Sequence, residues 1–197
     1  MDKNDILQQL TERNNGYLLA AMVKENKISK AVLSKYVKEK GLERIARGIY
    51  ITDDVWPDEL YIMQVRNKAV IFSGETALYL HGLIDREYSG ICISVPTGYN
   101  ASHLKTGNVR VKYASKSSYG LGVCTVPSSS GNMVKAYDRE RCICDLISDR
   151  NKMEVQNFQT AIKEYMSGKG KKLSRLVEYA EKLGMRDEVM KYVEVFG

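Results

Sequence analysis

No run of eighteen apolar residues occurs in this sequence, so no stretch has the length and character of a membrane-spanning helix. The opening MDKNDILQQLTERN is too polar for the apolar centre of a secretory signal, and a cytoplasmic protein is expected. The four cysteines, Cys92, Cys124, Cys142 and Cys144, include no C-x-x-C pair. That spacing suits neither a zinc site nor a disulfide framework, which leaves reduced, buried thiols as the expectation. A Walker loop, a G-x-S-x-G elbow and an H-E-x-x-H pair are also missing. The chain is accordingly read as a non-enzyme, with no catalytic residue, no metal and no cofactor. SGKGKK, Ser167 to Lys172, lacks the spacing and the preceding strand of a phosphate loop and reads as a flexible basic linker. The tyrosines are spread along the chain without a strand-borne cluster, so they read as core and rim residues.

What the sequence does contain is an uneven distribution of charge. The 197 residues carry a net charge of +6, with 44% hydrophobic content suited to a packed core. From Arg13 to Ile51 there are nine Lys or Arg against three acids, Glu25, Glu39 and Glu43, while the remainder of the chain balances. A local excess of cations favours an anionic partner.

That basic region also carries a structural pattern. Ile6, Leu7 and Leu10 mark one side of a first helix, stopped by Asn14 to Gly16. Leu18, Leu19, Met22 and Val23 fit the stripe of a second helix. Ser29 suits the N-cap of a third, ending near Gly41. At 100° per residue this third helix gathers Val32, Leu33, Tyr36 and Val37 in one arc and sets Lys30, Ser34, Lys35 and Lys38 opposite. LERIARGIYI then predicts two short strands turning at Arg47-Gly48. The sum is a winged helix-turn-helix. Such a helix fits the major groove, and Lys27, Lys30, Ser34, Lys35, Lys38, Arg44 and Arg47 are the candidate DNA contacts. Double-stranded operator DNA with repeated half-sites is the expected partner, because one short winged helix makes few contacts.

DDVWPDEL marks a boundary, with Pro57, Asp58 and Glu59 opening a connecting helix to about Asn67. AVIFSG, GICISVP, VRVKYA, GLGVCTVP and NMVKAY give strand signals, and four helical segments follow from Arg139. The expected fold class is α+β. A winged helix-turn-helix domain, 1–55, precedes a mixed-sheet α+β domain, 56–197, strand-rich over 69–137 and helical over 138–197.

ARGIYI after the winged helix, FSGETALYLHGL at Phe72 to Leu83, ISVPTGY at Ile93 to Tyr99 and YDRERCICDLI at Tyr137 to Ile147 occur in an order that resembles the AbiEi family of bacterial antitoxins. Ala77, Leu78, His81 and Gly82 meet the Ala-Leu-x-x-His-Gly part of that family's Ser-x-x-Ala-Leu-x-x-His-Gly pattern, with Ser73 one residue further upstream than the pattern's serine. Glu140, Arg141 and Asp145 meet its Glu-Arg-Thr-x-x-Asp pattern, with Cys142 in place of threonine. The resemblance implies a type IV antitoxin that represses its own operon and counteracts a toxin resembling a nucleotidyltransferase.

Glu75, His81, Glu140, Arg141 and Asp145 include an acid, a base and a cation, but their spacing gives them structural work. Glu75 falls in a helix's first turn and His81 in its last, where a cation or donor is favourable, and Arg141 can pair with Asp145 at i, i+4. Two alternatives differ in class: a transcription regulator whose second domain senses a ligand, and a DNA-processing enzyme targeted by the winged helix. The enzyme would need clustered acids, and GICISVP and VRVKYA contain none.

Overall fold

The computed structural model describes residues 2–85, 88–105 and 107–196, which divide into two compact units. One comprises Met1–Arg66 with Pro127–Met133, the other Asn67–Val126 with Val134–Gly197.

In the first unit, α1 (Lys3–Arg13) opens with a reciprocal capping box between Asp2 and Asp5. It ends at Asn14, and the chain reverses through Asn15 and Gly16, whose φ values are 49° and 80°. A side chain at Gly16 would meet Val55 at 2.5 Å, so glycine is required there for space as well as for φ. The next residues correct an expectation: Leu18 and Leu19 do not begin a second helix. They lie in β1 (Tyr17–Leu19), and only Met22 and Val23 of the supposed stripe fall in α2 (Ala20–Glu25). All three residues of β1 are buried, and a strand covered on both faces shows no alternation to distinguish it from a helix turn.

Ser29 caps α3 (Lys30–Lys40), its Oγ accepting from the Val32 N–H at 3.4 Å, and Gly41 closes the helix at φ 67°. β2 (Glu43–Ala46) and β3 (Ile49–Ile51) form an antiparallel hairpin, with a register shift between Arg44 and Ala46, in a sheet ordered β1-β3-β2. Strand periodicity gives this sheet two cores. Leu18 and Tyr50 pack with Leu7, Val23, Ile28, Leu33 and Tyr36, whereas Tyr17, Leu19, Ile49 and Ile51 pack with Tyr61, Ile62 and Val65 of α4 (Glu59–Arg66).

Asp58, expected within the first turn of α4, precedes it and acts as its cap, Oδ1 accepting from the Tyr61 N–H at 3.1 Å. Its Oδ2 accepts from Ser128 Oγ at 2.5 Å and Asn132 Nδ2 at 2.9 Å, which ties the Pro127–Met133 segment into the first unit.

The second unit runs β4 (Ile71–Phe72), α5 (Gly74–Leu80), β5 (Ile91–Pro96), β6 (Val109–Ala114), α6 (Lys116–Tyr119), β7 (Val123–Pro127), β8 (Met133–Tyr137) and then α7 (Arg139–Ser148), α8 (Val155–Ser167), α9 (Leu173–Lys182) and α10 (Arg186–Phe196). Its five-stranded sheet is ordered β6-β5-β4-β8-β7; β4 pairs antiparallel with β5 and parallel with β8, and β5 pairs parallel with β6. The protein is thus α+β, with a mixed sheet and C-terminal helices, as expected. The one-turn α6 lies between two strand signals and carries no readable period of its own in four residues. α7 packs against α5, α8, α9 and α10 and is buried from Glu140 to Ile147. Three charged side chains therefore lie in the core of the unit, where each needs a partner.

Candidate functional site

The basic face of α3 is built by its own packing. Leu33 and Tyr36 are buried, which turns Lys30, Ser34, Lys35 and Lys38 outward. Lys27 is exposed in the turn before the helix at φ 56°, Arg44 is exposed on β2, and Arg47 is exposed at the β2–β3 turn, where Gly48 has φ 75°. Lys35 lies 3.6 Å from Glu39, and Arg44 Nε donates to the Ala46 carbonyl at 3.4 Å. Among the described residues, Lys27, Lys30, Lys38 and Arg47 form no ion pair. Their charge is uncompensated and available to an anion.

The family-motif residues do not converge on one centre. Ser73 stands at the N-cap position of α5 without capping it; its Oγ instead accepts from Ser94 Oγ at 2.9 Å. Glu75, in the first turn, pairs with Arg110 at 3.0 Å. Ser73 and Glu75 line a groove of about 310 Å³ with Cys92, Arg110, Lys112 and Asp149. His81 ends α5 elsewhere, its Nε2 lying 2.8 Å from the Tyr137 carbonyl, which can only accept. Burial, opposed by that hydrogen bond, depresses the His81 pKa below 6.5, so the ring serves as a neutral donor and not as a cation at the helix end.

On α7 the expected i, i+4 pair is present, Arg141 Nε donating to Asp145 Oδ1 at 3.2 Å. Arg141 Nη1 also donates to the carbonyls of Ser118 at 2.6 Å and Leu121 at 3.0 Å, and its guanidinium lies 4.3 Å from the Tyr137 ring centroid. The sequence could not show the Ser118 and Leu121 partners, which lie twenty or more residues away. Glu140 Oε1 accepts from Tyr165 OH at 3.2 Å and the Lys172 N–H at 3.1 Å. These groups are engaged with the fold.

His81 and Glu140 line a polar cavity of about 620 Å³ together with Cys124, Asp138, Arg139, Lys172, Arg175 and Tyr179. Burial pushes the Cys124 thiol up to about 11, so it remains protonated near neutral pH and is no thiolate nucleophile. Asp138 caps α7, Oδ1 accepting from the Arg141 N–H at 2.8 Å and Oδ2 from Tyr179 OH at 3.1 Å. Arg139, Lys172, Arg175 and Tyr179 were not singled out in the sequence. Arg139 lies within YDRERCICDLI and Lys172 ends SGKGKK, whereas Arg175 and Tyr179 reach the cavity from α9. All four cysteines are free, and among the described residues no group of three or more His, Cys, Asp or Glu is placed to hold a metal ion. No helix among the described residues is long and apolar enough to cross a membrane.

Residues 3–86 match the family described as "Transcriptional regulator, AbiEi antitoxin N-terminal domain". The match is to a transcriptional-regulator domain and covers less than half of the chain. Among solved structures, the RV2827C protein from Mycobacterium tuberculosis is similar at 10% identity and a TM-score of 0.45, over 96% of this chain and 79% of that one. No curated protein matches the chain.

Proposed function

We propose that this chain, with its AbiEi-type regulator segment, is an antitoxin that binds operator DNA through a winged helix-turn-helix and represses its own operon. The carrying observation is the outward face of α3, where Lys30 and Lys38 stand without counter-charges beside Ser34 and Lys35. Lys27, Arg44 and Arg47 extend the set of exposed cations into the preceding turn and the β2–β3 hairpin. In this reading α3 enters the major groove, the hairpin reaches the adjacent backbone, and the lysines fix position more than they select sequence. Repression needs no chemistry on DNA: occupancy of repeated half-sites covers the promoter. The second unit, with Ser73, Glu75, His81, Glu140, Arg141 and Asp145 holding its framework, would counteract a nucleotidyltransferase-like toxin in the cytoplasm.

The test is binding of the purified chain to its own upstream DNA across a salt series. Neutralising about five phosphates gives a slope of log affinity on log salt of roughly −4 to −5. Salt-steep binding to that fragment over unrelated DNA, lost when Lys30, Lys38 and Arg47 become alanine, supports the reading. Equal, weak binding to any DNA would sink it.

A further inference from the structure

The SGKGKK segment, expected to be a plain linker, contributes Gly170 and Lys172 to the wall of the polar cavity. Gly168 and Gly170 lie against a guanidinium: a Cβ added at either would sit 3.3 Å from Arg139 Nη2 or 3.4 Å from Arg139 Nη1. On its other side Arg139 lies 5.9 Å from the Tyr165 ring centroid, and its buried Nε has no hydrogen-bond partner. Among the described residues, neither Arg139 nor Lys172 forms an ion pair, and Arg175 reaches only Asp138, at 4.0 Å. The acids nearby are already occupied. Asp138 caps α7 and accepts from Tyr179, Glu140 accepts from Tyr165 and the Lys172 N–H, and Glu178 pairs with Lys182 at 2.6 Å.

A guanidinium that lines an open polar cavity without an ion-pair partner is available to an anion from outside the chain. We propose that this cavity binds a phosphorylated small molecule, its phosphate held by Arg139, Lys172 and Arg175. Phosphate suits the site because its several oxygens can engage two arginine forks and an ammonium together, more than one carboxylate supplies. The volume of about 620 Å³ accommodates a nucleotide-sized ligand, and Gly120 and Tyr179 leave room and a ring for the part beyond the phosphate. The proposal rests on the second unit alone and stands or falls separately from DNA binding.

Calorimetric titration of the full chain with ATP, inorganic phosphate and adenosine tests it. ATP is expected to bind saturably, phosphate more weakly, and adenosine not at all. Lys172 and Arg175 are exposed, so Lys172→Gln and Arg175→Gln should fold normally and each weaken ATP binding by about tenfold, the effect of one charge-assisted hydrogen bond. Arg139→Gln should abolish binding, with its thermal melt recorded to separate loss of the ligand from loss of the fold. Lys38→Ala should leave ATP affinity unchanged. Failure of both ATP and phosphate to bind, adenosine binding as well as ATP, unaltered binding in both α9-side variants, or loss of binding in Lys38→Ala would each overturn the proposal.

Discussion

Lys30 and Lys38 on α3 and Arg141 on α7 are all cations on helices, but they stand in opposite environments. The lysines are exposed with no carboxylate beside them, whereas the Arg141 side chain is 3% exposed and directs its contacts inward to Asp145, Ser118, Leu121 and Tyr137. A cation in water contributes little to folding and stays free to meet an anion. A buried cation with several acceptors is fixed, and its removal strands the groups it served. Burial therefore separates a helical cation that is free to meet a partner from one that is fixed in the framework.

The largest expected effect comes from breaking the buried side of this comparison. Arg141→Ala leaves Asp145 without its guanidinium and two carbonyls without their donor, and should lower stability by about 3–5 kcal/mol in urea unfolding. Changing Arg141 to methionine and Asp145 to leucine together should cost less than the sum of the single changes, as a double-mutant cycle would show. Asp58→Ala is next. It removes the cap of α4 and the acceptor for Ser128 and Asn132, with an expected loss of about 2–3 kcal/mol by the same measurement.

On the exposed side, replacing Lys30, Lys38 and Arg47 by alanine should shift stability by no more than about 0.5 kcal/mol. The same variant should flatten the salt dependence of the proposed operator binding by about 2 to 3 in slope. A large loss of stability there would mean that the α3 face supports the fold after all.

The smallest effect concerns His81. Its folded pKa lies below 6.5, so between the two values the unfolded chain binds more protons than the fold. Stability is full above about pH 6.5 and declines as pH falls through that value toward the folded pKa. Unfolding midpoints measured from pH 7.5 to 5 should show the decline, and His81→Gln should reduce it.

The distinction between the two environments was only partly legible in the sequence. α3 could be read because Leu33 and Tyr36 recur at helical spacing, with Ser29 and Gly41 marking its ends. The Arg141–Asp145 pair could be read because both partners lie on one helix. β1 could not, because Tyr17, Leu18 and Leu19 are buried together and show no period of two. Nor could the polar cavity, since Arg139, Lys172 and Tyr179 meet only once α7 and α9 are packed. Local periodicity reports the face an element presents. It does not report which distant element covers that face.

Pro127–Met133 belongs to the first unit although the chain on either side of it belongs to the second. During synthesis, the N-terminal unit thus cannot complete the partners of Asp58 until residue 133 has left the ribosome, so its final closure follows much of the strand-rich region instead of preceding it. The same interleaving constrains inheritance. A single recombination crossover after residue 66 would join a foreign second unit to a first unit lacking seven of its own residues.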